Sequence, residues 1–438
     1  MSGQNPREIA ARVLGHTGRA GSVAPFMFVE TLLERELAHA GLKDPDRRLC
    51  QELVYGTVRW QRTLDWLIGR KTQGRVQKTG LQNLLRLGLY QIFFLDRIPN
   101  HAAVNETVEL AKRLGFGAQA GFVNALLRGY LREFQPTKAA LEDLKRTQPA
   151  LGHSHPEWLV ERWQKRWGIE PTNRLLAWNN TPPELFARVN TLKNDAGKLL
   201  EQWRAENVDY DFVRHDWLEE NLVFRLKAAP PLERLPSFQA GKFYVQDPST
   251  LLAVREMGAR AGEDVLDLCA APGGKLTCLA QMMGNAGRLI AHDISAERLK
   301  IVTENCARLG VTCATTALPS TMFAHVGTGF DRVLLDAPCS NTGVMRRRVE
   351  LRWRLEPKEM ERLRQGQLDL LRQAGSLVRP GGTVVYSTCS LEPEENRGVV
   401  DEFLHGHGQF GLERERELRP FVEGVDGAYV AAIKRAHR

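Results

Sequence analysis

Val265-Leu266-Asp267-Leu268-Cys269-Ala270-Ala271-Pro272-Gly273-Gly274-Lys275 is the stretch on which the reading of this chain turns. Val265, Leu266 and Leu268 make a short apolar run with the character of a buried strand; Pro272-Gly273-Gly274 breaks it, and a helical pattern starts near Leu276. A strand feeding a glycine turn and a helix N-terminus builds a polar pocket at the carboxyl end of a sheet. A P-loop would need a glycine where Cys269 stands and a hydroxyl residue where Leu276 stands, so ATP is disfavoured. A dinucleotide fingerprint needs G-x-G-x-x-G, and only the pair Gly273-Gly274 is present. S-adenosylmethionine fits better. Leu289-Ile290-Ala291-His292-Asp293 supplies a second strand ending in an acid, about twenty residues on, to take ribose hydroxyls. Taken alone, the unit could also be an ordinary strand-turn-helix corner.

The chain has 438 residues, enough for two or three domains with their own cores. Lys plus Arg number 60 against 52 Asp plus Glu, a formal charge of +8, which suits a polyanionic partner or a merely solvated basic surface. No apolar run is long enough to span a bilayer, and the polar start MSGQNPRE lacks a signal-peptide core, so a cytoplasmic protein without membrane contact is expected. The seven cysteines (50, 269, 278, 306, 313, 339 and 389) are irregularly spaced with no C-x-x-C pair, so reduced thiols and no metal site are expected.

From about residue 5 to 135 the periodicity is helical, with amphipathic runs such as Ala24 to Ala38 and Leu81 to Leu95, and an all-α bundle is expected. Asn100 reads as the N-cap of the helix after it, and Gly56 and Gly88 as points where helices cross closely. Arg59, Arg62, Arg86, Arg97, Lys112, Arg113 and Arg128 give the bundle a basic complement, open to RNA contact or to simple solvation. Residues 136 to 155 read as a connector with Pro136 and Pro149; His153 and His155 lack further ligands nearby, and Trp158, Trp163 and Trp167 read as packing residues. Between 180 and 245, a strand at Leu185–Asn190, a helix at Asp195–Glu206 and a strand at Leu222–Leu226 form a small α+β module. Strands at Val265–Leu268, Leu289–His292, Val333–Leu335 and Thr383–Tyr386 then alternate with helices, the pattern of a doubly wound, Rossmann-like α/β sheet. The expected multidomain division is 1–140, 141–240 and 241–438.

Two cysteines lie in polar loops at strand ends: Cys339 in DAPCSNTG (336–343) and Cys389 in STCS (387–390). Either thiol alone would read as packing, but the pair fits one task. Carbon 5 of cytosine is a poor nucleophile until a thiolate adds to carbon 6 and turns the ring into an enamine. Asp336 would hydrogen-bond the polar edge of that base. The residues do not say which thiol attacks. Nitrogen methylation is disfavoured, because Asp336-Ala337-Pro338-Cys339 stands where such enzymes carry an Asp/Asn-Pro-Pro-aromatic loop.

LDLCAAPGGK, HDIS, FDRVLLDAPCSNTGV, RPGGTVVYSTCSLEPEEN and the terminal DGAYVAAIKR together resemble the Sun-type RNA cytosine-5 methyltransferases. The N-terminal bundle is similar to the NusB-type RNA-binding domain that accompanies the bacterial 16S rRNA enzymes of that family, and nearly the whole chain is covered. The resemblance implies S-adenosylmethionine as cofactor and 16S rRNA, or a small-subunit assembly intermediate, as partner of a monomer. It assigns the nucleophile to Cys389 and proton removal or product release to Cys339. It further implies that Cys269, Ala270, Ala271, Pro272, Gly273, Gly274 and Lys275 line the methionine end of the cofactor, Asp293 the ribose, and Asp336 the cofactor and cytosine region. Arg346, Arg347, Arg348, Arg352 and Arg354 would meet RNA phosphates. Three departures stand out. No carboxylate occurs in Thr315-Thr316-Ala317-Leu318-Pro319-Ser320, where the family has an acid for the adenine; Asn341 replaces a small residue; and Arg348-Val349-Glu350 replaces His-Pro-Asp. Rival readings are an RNA-binding ribosome-assembly factor without turnover, and the same chemistry on tRNA or another rRNA cytosine.

Overall fold

A computed structural model describes residues 5–16, 28–318 and 329–437. The chain divides into two units, Met1–Thr181 with Arg348–Arg354, and Pro182–Arg347 with Leu355–Arg438. No described helix is long and apolar enough to cross a membrane.

Among the described residues, the regular elements of the first unit are all helices. Its centre is the helix Thr79–Phe94, in which 12 of 16 residues are buried on every face, so it packs against helices Pro6–His16, Asp44–Arg59, Gln61–Thr72, Asn100–Arg113 and Ala120–Arg132. Gly56 permits the closest approach: a Cβ there would fall 1.9 Å from the Tyr90 ring, so a side chain would push the two helices apart. Asn100 is the first residue of its helix rather than the cap; Pro99 holds the cap position and no side chain bonds the first turn. Of the run Ala24 to Ala38, the helix Val29–Ala38 is seen and residues 24–27 lie outside the described residues. Residues read as a connector form helices Phe134–Thr147 and Pro149–Gly152. Pro136 and Pro149 sit in first turns, where the missing N–H costs no intrahelical bond. His155 is fully buried with Nδ1 2.7 Å from the His153 carbonyl, and burial pushes His153 down to about 4, so both rings are neutral.

The second unit holds two sheets. Strands β1 (Leu185–Val189), β2 (Asp209–Phe212), β3 (Val223–Ala228) and β4 (Phe243–Val245) pair antiparallel in the order β2-β3-β1-β4. Helix Ala196–Ala205 crosses one face with Trp203 fully buried, and Asp195 caps it by accepting from Lys198 N–H at 2.9 Å. The large sheet contains β5 (Asp264–Asp267), β6 (Arg288–His292), β7 (Ala314–Ala317), β8 (Phe330–Asp336), β9 (Val378–Thr388), β10 (Phe410–Leu418) and β11 (Ala428–Arg435), ordered β10-β11-β9-β8-β5-β6-β7. Only β11 runs against its neighbours, so the doubly wound sheet is mixed. β5, β8 and β9 are adjacent, which brings the glycine turn and both cysteine loops to one sheet edge.

Candidate active site

The turn after β5 is set by backbone chemistry. Ala270 N–H donates to His292 O at 2.8 Å, Gly273 N–H returns to Ala270 O at 2.7 Å, and Gly273 adopts φ 102°, a conformation that favours glycine. Cys269, Ala270, Ala271 and Pro272 thereby lead into helix Gly274–Met282, whose first turn carries Lys275. From the small module, the fully buried Arg188 of β1 reaches Gly274 O and Thr277 Oγ1, each at 3.0 Å, and locks that helix start in place.

Asp293, at the end of β6 and 2% exposed, accepts from Ala271 N–H at 3.4 Å and pairs with Arg298 at 3.2 Å. Ile294 beside it is 80% exposed, an apolar surface open to solvent. Ala317 ends β7 without a carboxylate, and Pro319 and Ser320 lie outside the described residues.

Lys275 Nζ lies 2.6 Å from Asp336 Oδ2, at the end of β8. Burial works against the lysine charge, but the attraction and hydrogen bond of Asp336 prevail and raise its pKa. Asp267 is 1% exposed, with Oδ1 lacking any hydrogen-bond partner. Burial, reinforced by the charge of Asp336, pushes its carboxyl up to about 7. Sequence reasoning missed Asp267, and its signal was simple: an acid closing an otherwise apolar strand.

Cys339 and Cys389 face each other across adjacent loops with Sγ atoms 3.4 Å apart. Cys339 is buried, and its hydrogen bond with Cys389, together with burial, pushes its thiol well up. Cys389 is half-buried, its Sγ donating to Asn341 Oδ1 at 3.1 Å, and its negative form would favour the Lys275 charge. Asn341 sits at φ 58°, with Nδ2 donating to Cys339 O at 2.6 Å. The residue singled out only as a departure therefore touches both cysteine residues. Gly343 N–H holds Cys389 O at 2.9 Å, tying the loops by backbone as well.

The basic run behaves differently from expectation. Arg346, 1% exposed, bonds Asp426 at 2.7 Å, and Arg347 bonds Asp247 at 2.8 Å as well as Asp426. In the helical unit, Arg352 is fully buried and donates to the carbonyls of Arg59, Ser154 and Asn179 and to Asn180 Oδ1. Arg354 pairs with Glu350 at 3.5 Å, Glu350 accepts from Val29 N–H at 2.8 Å, and Val349 joins the helical core. Arg348 alone of the five is exposed. Arg346, Arg347 and Arg352 are structural, because an arginine run gives no sign of acids and carbonyls distant in sequence.

A seven-stranded sheet with one reversed strand and a glycine turn after the interior strand β5 defines a Rossmann-like methyltransferase. Residues 255–431 match the family described as 16S rRNA methyltransferase RsmB/F, 4–132 the NusB family, and 155–228 the ferredoxin-like domain of RsmF/B-like methyltransferases. Ribosomal RNA small subunit methyltransferase B of Vibrio vulnificus is 34% identical over 414 residues, 90% of this chain and 93% of that one. The chain belongs to the RsmB/F family of ribosomal RNA methyltransferases. Its fold is shared over 98% of its length with the protein PH0851, at TM-score 0.77 and 24% identity, covering 99% of that chain. NSun6 from Pyrococcus horikoshii, solved with an S-adenosylmethionine analogue, aligns with 64% of this chain and 98% of its own at TM-score 0.57 and 22% identity.

S-adenosylmethionine is the cofactor, and the residues present fit it. The partnerless Asp267 oxygen suits an ammonium group, and the exposed Ile294 beside a held carboxylate suits a flat base above a ribose.

Proposed function

We propose that this protein methylates carbon 5 of a cytosine in 16S rRNA through a covalent bond from Cys389. The observation that carries the reading is the pair of thiols 3.4 Å apart at the ends of β8 and β9, one half-buried and one buried. The same reading divides the chain into an RNA-binding helical domain, 1–140, a connector with the small module, 141–240, and a catalytic domain, 241–438. It takes the protein as a cytoplasmic monomer that binds rRNA or a small-subunit assembly intermediate.

Bound at the turn after β5, S-adenosylmethionine supplies an electrophilic methyl group. The residues Cys269 to Lys275 would shape the methionine end, Asp267 would receive the ammonium and Asp293 the ribose hydroxyls, and the exposed Ile294 would offer the adenine an apolar surface where the acid is missing. The base must leave its stack to reach the thiols. Cys389 then gives up its proton and adds to carbon 6, its negative charge offset by Lys275 while it forms. Ring N3 takes a proton and donates that N–H to Asp336, which stabilises the enamine. Carbon 5 takes the methyl group as its bond to the donor sulfur breaks; Cys339, once ionised, removes the carbon 5 proton, the bond from carbon 6 to the Cys389 sulfur breaks, and N3 releases its proton to restore the ring. The surroundings of the two thiols support this order. Cys339 is held neutral chiefly by its hydrogen bond with Cys389. Once Cys389 is a thioether, its negative charge no longer opposes ionisation of Cys339, and burial is the chief remaining opposition to its action as a base.

Labelled S-adenosylmethionine incubated with protein-free 16S rRNA and with assembly intermediates tests the function. Label in 5-methylcytidine is expected. Binding of cofactor and RNA with no transfer to either substrate would instead favour an assembly factor, and label in tRNA alone a different substrate.

Asp267 gives a pH prediction. Its native pKa of about 7 lies above the ordinary 3.8, so the stability it contributes is fully present below 3.8 and is lost as pH rises through 7. Pairing with the cofactor ammonium requires the ionised form. Cofactor affinity, read by calorimetry, should therefore rise with pH through about 7. Asp267→Asn should flatten that rise, and an unchanged profile in the variant would remove Asp267 from the site.

A further inference from the structure

Glu395, in the turn between β9 and helix Arg397–Gly406, is completely buried. Its Oε1 accepts from Ser340 N–H at 2.9 Å and from Gln367 Nε2 at 2.9 Å. Its Oε2 accepts from the Ser390 hydroxyl at 2.5 Å and from the Ser340 hydroxyl. These neutral donors occupy the four acceptor positions of a carboxylate, as burial of a charged group demands. Ser340 follows Cys339 and Ser390 follows Cys389, so one carboxylate grips the residue after each cysteine. The two serine hydroxyls are also 3.0 Å apart.

We infer that Glu395 is a positioning residue that sets the spacing of the two thiols, holding the Cys339 loop more firmly than the Cys389 loop. The inference rests on the thiol roles proposed above. The asymmetry lies in the bonds: Ser340 gives Glu395 both its N–H and its hydroxyl, whereas Ser390 gives only its hydroxyl. Gln367, which bonds Glu395, also donates to Pro338 O at 2.9 Å in the Cys339 loop, whereas the Cys389 loop has a tie independent of Glu395, from Asn396 Nδ2 to Ser390 O at 2.9 Å. Loss of the Glu395 carboxylate therefore displaces Cys339 first and slows release of the methylated base more than attack on it.

The test uses the full-length protein with Glu395→Ala, Glu395→Gln and Ser340→Ala, measuring methyl transfer, cofactor affinity and the fraction of RNA covalently attached on a denaturing gel. Glu395→Ala should lower kcat by about 10²-fold, as an ångström-scale misplacement does. Its KM for cofactor should be unchanged, and a covalent RNA adduct absent from the wild type should accumulate. Glu395→Gln keeps the shape and can donate to either serine hydroxyl, so it should recover most of the rate. Ser340→Ala, which keeps the backbone bond, should show the same adduct to a smaller degree. If Glu395→Ala does not fold, Ser340→Ala decides. Folded variants that turn over like the wild type, or that lose activity and cofactor affinity together without an adduct, would overturn the inference. A wild type that transfers no methyl group would instead overturn the proposed function itself.

Discussion

Cys389→Ala is expected to abolish methyl transfer, by more than about 10³-fold, because removal of an attacking nucleophile leaves only binding and electrostatics. Carbon 5 of an unactivated cytosine cannot take the methyl group, however well the cofactor is held. The substitution should be silent elsewhere. Cys389 Sγ touches Cys339 and Asn341 only through its thiol, and the cofactor turn is built on β5 and β6 by other bonds. Calorimetry should return the wild-type affinity for S-adenosylmethionine beside a transfer assay at background. Substantial activity in this variant would mean that the thiol roles are reversed or that no adduct forms.

Cys339→Ala should behave in the opposite way. Attack by Cys389 remains possible, and it loses the neighbour whose Sγ sits 3.4 Å away. With the base that removes the carbon 5 proton gone, turnover should fall by about 10²–10⁴-fold, the usual contribution of a positioned proton acceptor. The adduct should accumulate as an RNA-linked band that survives denaturation. A variant that turns over slowly with no such band would place proton removal on another group. The double variant Cys339→Ala with Cys389→Ala should show neither band nor transfer.

Much of this site is legible where chemistry is local in sequence. The apolar run before Gly273, the acid closing the next strand, and two cysteines in polar loops after apolar strands each carry their meaning within about ten residues. Two edge elements were not legible. β10, Phe-Gly-Leu-Glu-Arg-Glu-Arg-Glu-Leu, is dominated by charge because it is an edge strand facing solvent, and the short polar β7 closes the other edge. β11 is different: Ala428 to Ile433 is fully buried, and its apolar run offers no alternation to reveal direction. The misreading of the arginines has the same origin. Arg347 finds Asp247 one hundred positions away, and Arg352 finds carbonyls in the helical unit still further off. Glu395 was invisible for this reason too, since its partners Ser340 and Gln367 lie 55 and 28 residues earlier. Asp267 was in plain view but overlooked, because a carboxylate in an apolar strand gains meaning only when its oxygen is seen to lack a partner.

The covalent step is the centre of the account, and one measurement addresses it most directly. RNA trapped on Cys339→Ala during turnover is digested with nuclease and protease, and the peptide bearing the residual nucleotide is sequenced by mass spectrometry. The nucleotide should be a methylated cytidine carried on Cys389. A nucleotide on any other residue, or an unmodified peptide pool from an enzyme that still methylates RNA, would contradict it.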